Sequence, residues 1–260
     1  MAIDDTTLRK SDEARSSATR LAPLSQRIAR DGFAFVPADV LRPLLGGADS
    51  LVDWPRFAAS WNDLRLDTYL PDGHRYRYRR HATFSAGAGE LTCRLEPHRP
   101  HYQGIDYNPL VGGIERWFEP IETDIASGQP LAAILAFCCR LFGALRPDTD
   151  WLMECHQFRI EARRDTPGRP TPEGVHRDGV DFVLVLLVNR TNIESGTTTV
   201  HDLDGALLGS FTLIAPFDAA LVDDSRVKHG VTAVTAIDPE QPAYRDVLVV
   251  TFRACTPGAV

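Results

Sequence analysis

The sequence predicts a mainly β protein with flanking helices: an antiparallel sandwich or barrel behind an N-terminal helical layer. Three observations carry this. From Trp151 onward, short apolar stretches over 152–162, 176–189, 197–202, 206–214, 219–223, 229–236 and 245–253 alternate with Gly, Asp and Pro turns, without helical stretches between them. The run FVLVLLV at 182–188 is apolar at both parities, so both of its faces must be covered. Upstream of Trp151, apolar residues recur at helical offsets instead.

The elements follow in order. Residues 1–18 are polar and expected to be disordered, and 19–260 read as a single domain without internal repeats. Residues 20–30 suit a short helix closed by Asp31-Gly32, which launches a strand at Phe33–Val36. Residues 51–64 carry Trp54, Phe57, Trp61 and Leu64 near helical spacing and read as an amphipathic helix. Residues 75–84 and 91–95 read as strands joined across Gly87 and Gly89. Ile114, Trp117, Phe118, Ile121 and Ile125 form a stripe at helical offsets, so a helix is expected from there to Gly128. Residues 131–145 give a second, more apolar helix stopped before Pro147.

Composition narrows the function. Of 260 residues, 43% are hydrophobic and 24% charged, which allows a sizeable core. The net charge is −7 with no long basic run, against nucleic acid as the main partner. The densest basic stretch, Arg75, Arg77, Arg79 and Arg80, alternates with Tyr76 and Tyr78, as a strand with a solvated or internally paired charged face. The five cysteines lack any CxxC spacing and suit reduced, mostly buried thiols in a cytoplasmic protein. Cys138 and Cys139 read as small core residues. The N-terminus has no secretory apolar region, and no apolar run approaches the ~20 residues of a membrane helix. A homo-oligomer is left open.

The chemistry concentrates in His176-Arg177-Asp178 and His229, which lies 51 residues beyond Asp178. Residues i and i+2 of a strand share a face, so His176 and Asp178 can grip one ion. Two imidazoles and a carboxylate are the ligand set of mononuclear non-haem iron(II) oxygenases, with open positions for a co-substrate and dioxygen. A lone histidine is more often structural. Here the pair follows a Pro/Gly-rich loop at 167–174 and His229 follows Asp223-Asp224-Ser225, as expected for ligands at strand openings. A zinc hydrolase would use a similar set. Glu154 and His156 also share a face and could supply ligands, but without a comparable third partner they read as a packed polar pair or as residues supporting the ligands. His201-Asp202 fits a hairpin turn. Arg245 opens an apolar face with Val247, Val249 and Thr251, and needs a carboxylate: a dicarboxylate ligand, or Asp246 or another rim acid.

These residues carry a resemblance. The stretch EGVHRDGVDFVLVLLVNR at 173–190, followed by Asn192, Gly196, Asp223-Asp224, His229 and YRDVLVVTF, together with DTYLPDGHRYRYRRHATF, the 108–116 segment and HQFRI at 156–160, resembles the bacterial iron(II)/2-oxoglutarate dioxygenase family that includes L-isoleucine 4-hydroxylase. The resemblance covers most of 30–254. It implies a double-stranded β-helix (jelly-roll or cupin-like) core, His176, Asp178 and His229 as iron ligands, and Arg245 as anchor for the distal carboxylate of 2-oxoglutarate. Arg245 follows His229 by 16 residues, a wider offset than the superfamily usually shows, and the loop 238–242 can absorb it. The implied reaction uses iron(II), 2-oxoglutarate and O2 to hydroxylate a C–H bond of a small-molecule substrate, a free L-amino acid, releasing succinate and CO2. The retained Asp178 favours hydroxylation over halogenation. Gln157 and Arg159 share a face of the 152–162 strand and are candidate substrate residues, with Arg159 for a carboxylate or in a buried ion pair. The same class acting on a carrier-bound or modified amino acid, or performing desaturation or cyclisation, is the alternative; a zinc hydrolase or a non-catalytic metal-binding barrel is a more distant one.

Overall fold

A computed structural model describes residues 20–47, 49–71 and 75–255; the expectation for residues 1–18 lies outside them. In chain order the strands are β1 (Phe33–Val36), β2 (Arg65–Leu66), β3 (Arg77–Ala86), β4 (Arg94–Leu95), β5 (His101–Tyr102), β6 (Glu115–Arg116), β7 (Asp150–Ala162), β8 (Phe182–Thr191), β9 (Ile193–Ser195), β10 (Thr197–His201), β11 (Leu207–Thr212), β12 (Ala219–Asp223), β13 (Lys228–Val231), β14 (Val234–Ala236) and β15 (Ala243–Cys255). The helices are α1 over 20–31, α2 (Ala38–Leu44), α3 (Trp54–Ala59), α4 (Thr123–Ala126) and α5 (Gln129–Leu145).

The main sheet runs β1-β12-β8-β15-β7-β3-β2, with β4 on β3, and a second sheet runs β11-β10-β13. Every ladder between these strands is antiparallel. This is a jelly-roll core with helices on one face: the alternation after Trp151 predicted its antiparallel strands, and the resemblance implied its jelly-roll form.

Strand parity explains the layers. On β8, Phe182, Leu184, Leu186 and Val188 meet the helices, while Val183, Val185 and Leu187 face the second sheet. The doubly apolar run is therefore covered on both sides. Phe142 of α5 stacks on Phe182 with ring centroids 4.6 Å apart, and Phe252 of β15 meets it edge-on. On the other side, Phe211 of β11 closes against Phe33 and Phe35. Cys138 and Cys139 are buried in α5, as expected. None of the described helices is long and apolar enough to cross a membrane.

Four expectations are corrected. The helix expected over 51–64 is broken: α3 begins with Pro55 in its first turn, and a 3-10 turn takes over at Ser60–Asp63. Phe57 and Trp61 still reach the core. The helix expected from Ile114 to Gly128 is instead the short strand β6, an extended stretch and the single turn α4. Pro120 lies mid-stripe, and its ring and missing N–H oppose a continuous helix. The freed backbone adds to the edge of β3, with His81 N donating to Glu119 O (2.9 Å) and Ile121 N to His81 O (3.0 Å). The strand expected from 176 starts only at Phe182, because residues 177–181 loop around a buried carboxylate described below. Finally, 229–236 is two strands, as the chain changes partner from β10 to β9.

Candidate metal centre

His176, Asp178 and His229 converge with one ligand atom each within 4.8 Å of the others. His176 and His229 form an isolated antiparallel bridge, each backbone N–H donating to the other's carbonyl at 2.9 Å. That bridge places the imidazoles side by side, with centroids 4.7 Å apart. Asp178 spans them, Oδ1 lying 3.5 Å from His176 Nε2 and Oδ2 3.6 Å from His229 Nε2. His176 Nδ1 lies 3.0 Å from Gly174 O and, as the only possible donor of the two, leaves Nε2 to act as a ligand.

Asp224 positions Asp178. Its buried carboxylate accepts backbone N–H bonds from Asp178 (2.9 Å), Gly179 (2.8 Å) and Val180 (3.1 Å), folding the loop so that Asp178 faces the histidines. Gly179 sits at φ +77°, and an added Cβ would come within 2.6 Å of the Tyr107 ring. Gln103 Nε2 donates to Asp178 O at 3.2 Å. The electrostatics favour a cation between the ligands. Burial lowers His176, but the Asp178 carboxylate and then Glu173 outweigh it and raise it to about 9. Burial and the neighbouring His176 lower His229 to about 4. Burial and the Asp178 charge lift Asp224 to about 6, against the three N–H donors.

Arg245 is 2% exposed, and its Nε and Nη2 have no hydrogen-bond partner. Asp246, the alternative partner, points to the other face of β15 and takes Arg159 instead. Burial and the nearby Arg190 charge lower Arg245 to about 10, which leaves it protonated at neutral pH. Gly196 (φ +74°) borders it: a Cβ there would meet Val234 Cγ1 at 2.8 Å, Arg190 Nη1 at 3.3 Å and Arg245 Cδ at 3.9 Å. Arg190 Nη1 is likewise buried without a partner. A guanidinium with open donors beside a cradle that a single methyl would fill suits a carboxylate.

Gln157 and Arg159 are not brought to this site. Both lie on the helix-facing side of β7, where Gln157 Nε2 donates to Ser60 Oγ (2.8 Å) and Arg159 forks onto Asp246 (2.7 and 2.8 Å). The opposite parity, Glu154, His156 and Phe158, lines a cavity of about 70 Å3 with Arg77, Arg79, His101, Arg116 and Asp178. Of the Arg75–Arg80 stretch, Arg75 is exposed, while Arg77 and Arg79 are internally paired: Arg77 forks onto buried Asp67, and Arg79 lies 3.6 Å from the same carboxylate. Sequence reasoning missed Asp224, Asp67 and Arg116 as site residues. Only the Asp223-Asp224 pair just ahead of His229 hinted at the first, and Arg116 was hidden by the expected helix.

A His–Asp–His set at one end of a jelly roll is the donor arrangement of a non-haem iron oxygenase. The family model for 2OG-Fe dioxygenases matches residues 58–251, and the chain belongs to that family. It is thus a 2-oxoglutarate-dependent dioxygenase that uses iron(II), 2-oxoglutarate and O2. Among curated relatives, 3(1)-hydroxy-L-isoleucine 4-dioxygenase of Pantoea ananatis is 26% identical, over 87% of this chain and 93% of the relative. L-isoleucine-4-hydroxylase of Bacillus thuringiensis is 24% identical, over 61% of this chain and 67% of the relative. The crystal structure of a bsmA homologue from Methylobium petroleophilum superposes with a TM-score of 0.80 at 38% identity, covering 90% of this chain and 92% of that one.

Proposed function

We propose that this chain hydroxylates an unactivated C–H bond of a free L-amino acid, with His176, Asp178 and His229 holding iron(II) and Arg245 taking the distal carboxylate of 2-oxoglutarate. The observation that carries the assignment is Arg245, a buried guanidinium with unpaired donors in a cradle bordered by Gly196. The donor set of the triad fits iron(II), since two imidazoles, His176 giving up its proton to the metal, and one carboxylate leave positions open. When bound, iron(II), 2-oxoglutarate and O2 supply the oxidation, in which 2-oxoglutarate is decarboxylated to succinate and CO2 as a C–H becomes a C–OH.

The chain's own residues orient and shield. The His176–His229 bridge fixes the two imidazoles, and Asp224 holds the Asp178 loop. Arg245 fixes the far end of the co-substrate. Phe158, Val180 and Val249 give the adjoining cavity an apolar wall that excludes water from the target carbon. The retained Asp178 supports hydroxylation. A free amino acid as substrate is supported by the names of the two isoleucine-related relatives.

The test is incubation with iron(II), 2-oxoglutarate, ascorbate and a panel of L-amino acids, L-isoleucine first. The expected result is substrate-dependent succinate and a product heavier by about 16 Da, one added oxygen. Succinate formation that no L-amino acid stimulates would overturn the substrate assignment.

A further inference from the structure

Beside the triad lies a charged cluster that the metal and co-substrate do not use. Arg79 and Arg116 are both buried, and the Nε of each has no hydrogen-bond partner. Asp67 serves Arg77 first and Arg79 only at 3.6 Å, while Arg116 Nη2 reaches the uncharged Gln103 Oε1 at 3.4 Å. Asp67 thus pairs with two guanidiniums, and Arg116 has no ion pair within reach among the described residues. Burying such donors unmatched is costly, which marks the place of a missing anion.

Across the same cavity sits the opposite case. The Glu154 carboxylate lies 3.0 Å from His101 Nδ1 and 3.3 Å from His81 Nε2. Burial lowers both imidazoles, His101 to about 4, so at neutral pH they are uncharged. Burial would raise Glu154, but these two histidines hold it well below the ordinary carboxylate range. It remains an anion that feels the Arg79 and Arg116 charges across the cavity but makes no direct ion pair with either, and its oxygens keep lone pairs for more donors than two imidazoles supply. Arg79 and Glu154 are linked through the lining of the cavity: Arg79 Nη2 bonds His156 Nδ1 at 2.7 Å, and the His156 ring lies 4.8 Å from that of His101.

We propose that this cavity recognises a free α-amino acid by its two backbone charges, the carboxylate on Arg79 and Arg116 and the ammonium on Glu154, with the side chain directed along Phe158, Val180 and Val249 towards Asp178. This rests on the dioxygenase reading and adds to it the site that selects the substrate. It also separates free from carrier-bound substrates, because a thioester-linked amino acid has no carboxylate for the arginines.

The ligand atoms of His81, His101, Glu154 and His156 lie within 4.8 Å of one another, which also suggests a metal ion. The hydrogen bond from Arg79 takes His156 out of that set, leaving His81, His101 and Glu154. A guanidinium only donates, so His156 Nδ1 accepts and its proton sits on Nε2, leaving that ring no lone pair for a metal. The guanidinium's charge opposes a divalent ion as well.

The test is anaerobic calorimetry on the protein loaded with iron(II) and 2-oxoglutarate. The probes are L-isoleucine, its deaminated analogue 3-methylpentanoate and its decarboxylated analogue 2-methylbutylamine. If L-isoleucine is silent, the other proteinogenic L-amino acids follow with their own analogues. The complete amino acid should bind at least about thirtyfold more tightly than either half, as expected for desolvated charge pairs. Arg116→Met should weaken the amino acid and the acid while leaving the amine little changed, and Arg116→Lys should recover part of the loss. Glu154→Gln should show the converse pattern. Equal weakening of all three probes in both variants would show a merely structural role and overturn the proposal. So would a second equivalent of tightly bound metal that Glu154→Gln removes. Loaded protein that shows the visible iron–2-oxoglutarate charge-transfer band but binds no amino acid would sink the zwitterion site and leave the dioxygenase reading intact. Absence of the band would instead count against that reading itself.

Discussion

Replacing Arg245 with methionine should move stability and ligand binding in opposite directions. The side chain is among the largest fully buried ones, carries a charge, leaves Nε and Nη2 unpaired and is repelled by Arg190. Exchanging a poorly compensated buried charge for an apolar chain of similar length typically stabilises by about 1–4 kcal/mol. For a chain of this size that is a rise in Tm of roughly 2–8 °C without ligand. Binding of 2-oxoglutarate should suffer, because removing one partner of a buried, hydrogen-bonded charge pair costs about 2–5 kcal/mol. The Kd should therefore rise between about 30-fold and several thousand-fold. In wild type, 2-oxoglutarate at a hundred times its Kd should stabilise by about 2.7 kcal/mol, and in Arg245→Met the same concentration should add little. Anaerobic thermal unfolding of the iron(II) protein, with and without 2-oxoglutarate, reads both effects. A variant that melts lower without ligand and binds 2-oxoglutarate within about threefold of wild type would refute the reasoning.

Other expectations follow from the same geometry. Asp224→Asn cannot accept all three loop N–H groups, so iron(II) affinity should fall about 10- to 100-fold in a competitive chelator titration. Gly179→Ala meets both a left-handed backbone and the Tyr107 ring, and should cost about 1–3 kcal/mol in chemical denaturation. Adding Tyr107→Ala should recover the steric part only. Burial would raise Asp67, but the Arg77 and Arg79 charges and the Arg77 hydrogen bond hold it below its usual value. Its stabilising effect is therefore present above the unfolded-state pKa, about 3.9, and lost as pH falls through the lower folded-state value. Asp67→Asn should lower Tm most at neutral pH, with the gap to wild type closing below about pH 4 in a pH series of melts.

The β half of the fold could be read from the sequence because each strand there is bounded by turn residues and has one or two faces to cover. The run at 182–188 shows this most plainly, since its two parities separate into the helix-facing and interior clusters. The 114–128 segment could not be read in this way. Its apolar spacing imitates a helix; Pro120 is the local signal against one, and the backbone bonds to β3 that replace it are tertiary. The candidate ligands His176, Asp178 and His229 converge, but strand spacing is not the reason. A backbone bridge and the Asp224 carboxylate bring them together, and neither has a local signature. Gln157 and Arg159 show the limit of parity. Their shared face is legible, but which face of β7 looks inward depends on the packing of the 3-10 turn at Ser60–Asp63 against it. The same uncertainty hid the opposite row, Glu154, His156 and Phe158, which lines the cavity.

The most direct test of the central claim is anaerobic addition of iron(II) and then 2-oxoglutarate to the purified protein. A weak visible charge-transfer band should appear, saturate near one equivalent of iron, and be lost when His176 and His229 are both replaced by alanine. No band in the wild-type protein, or an undiminished band in the double variant, would contradict the assignment of these residues as the iron centre.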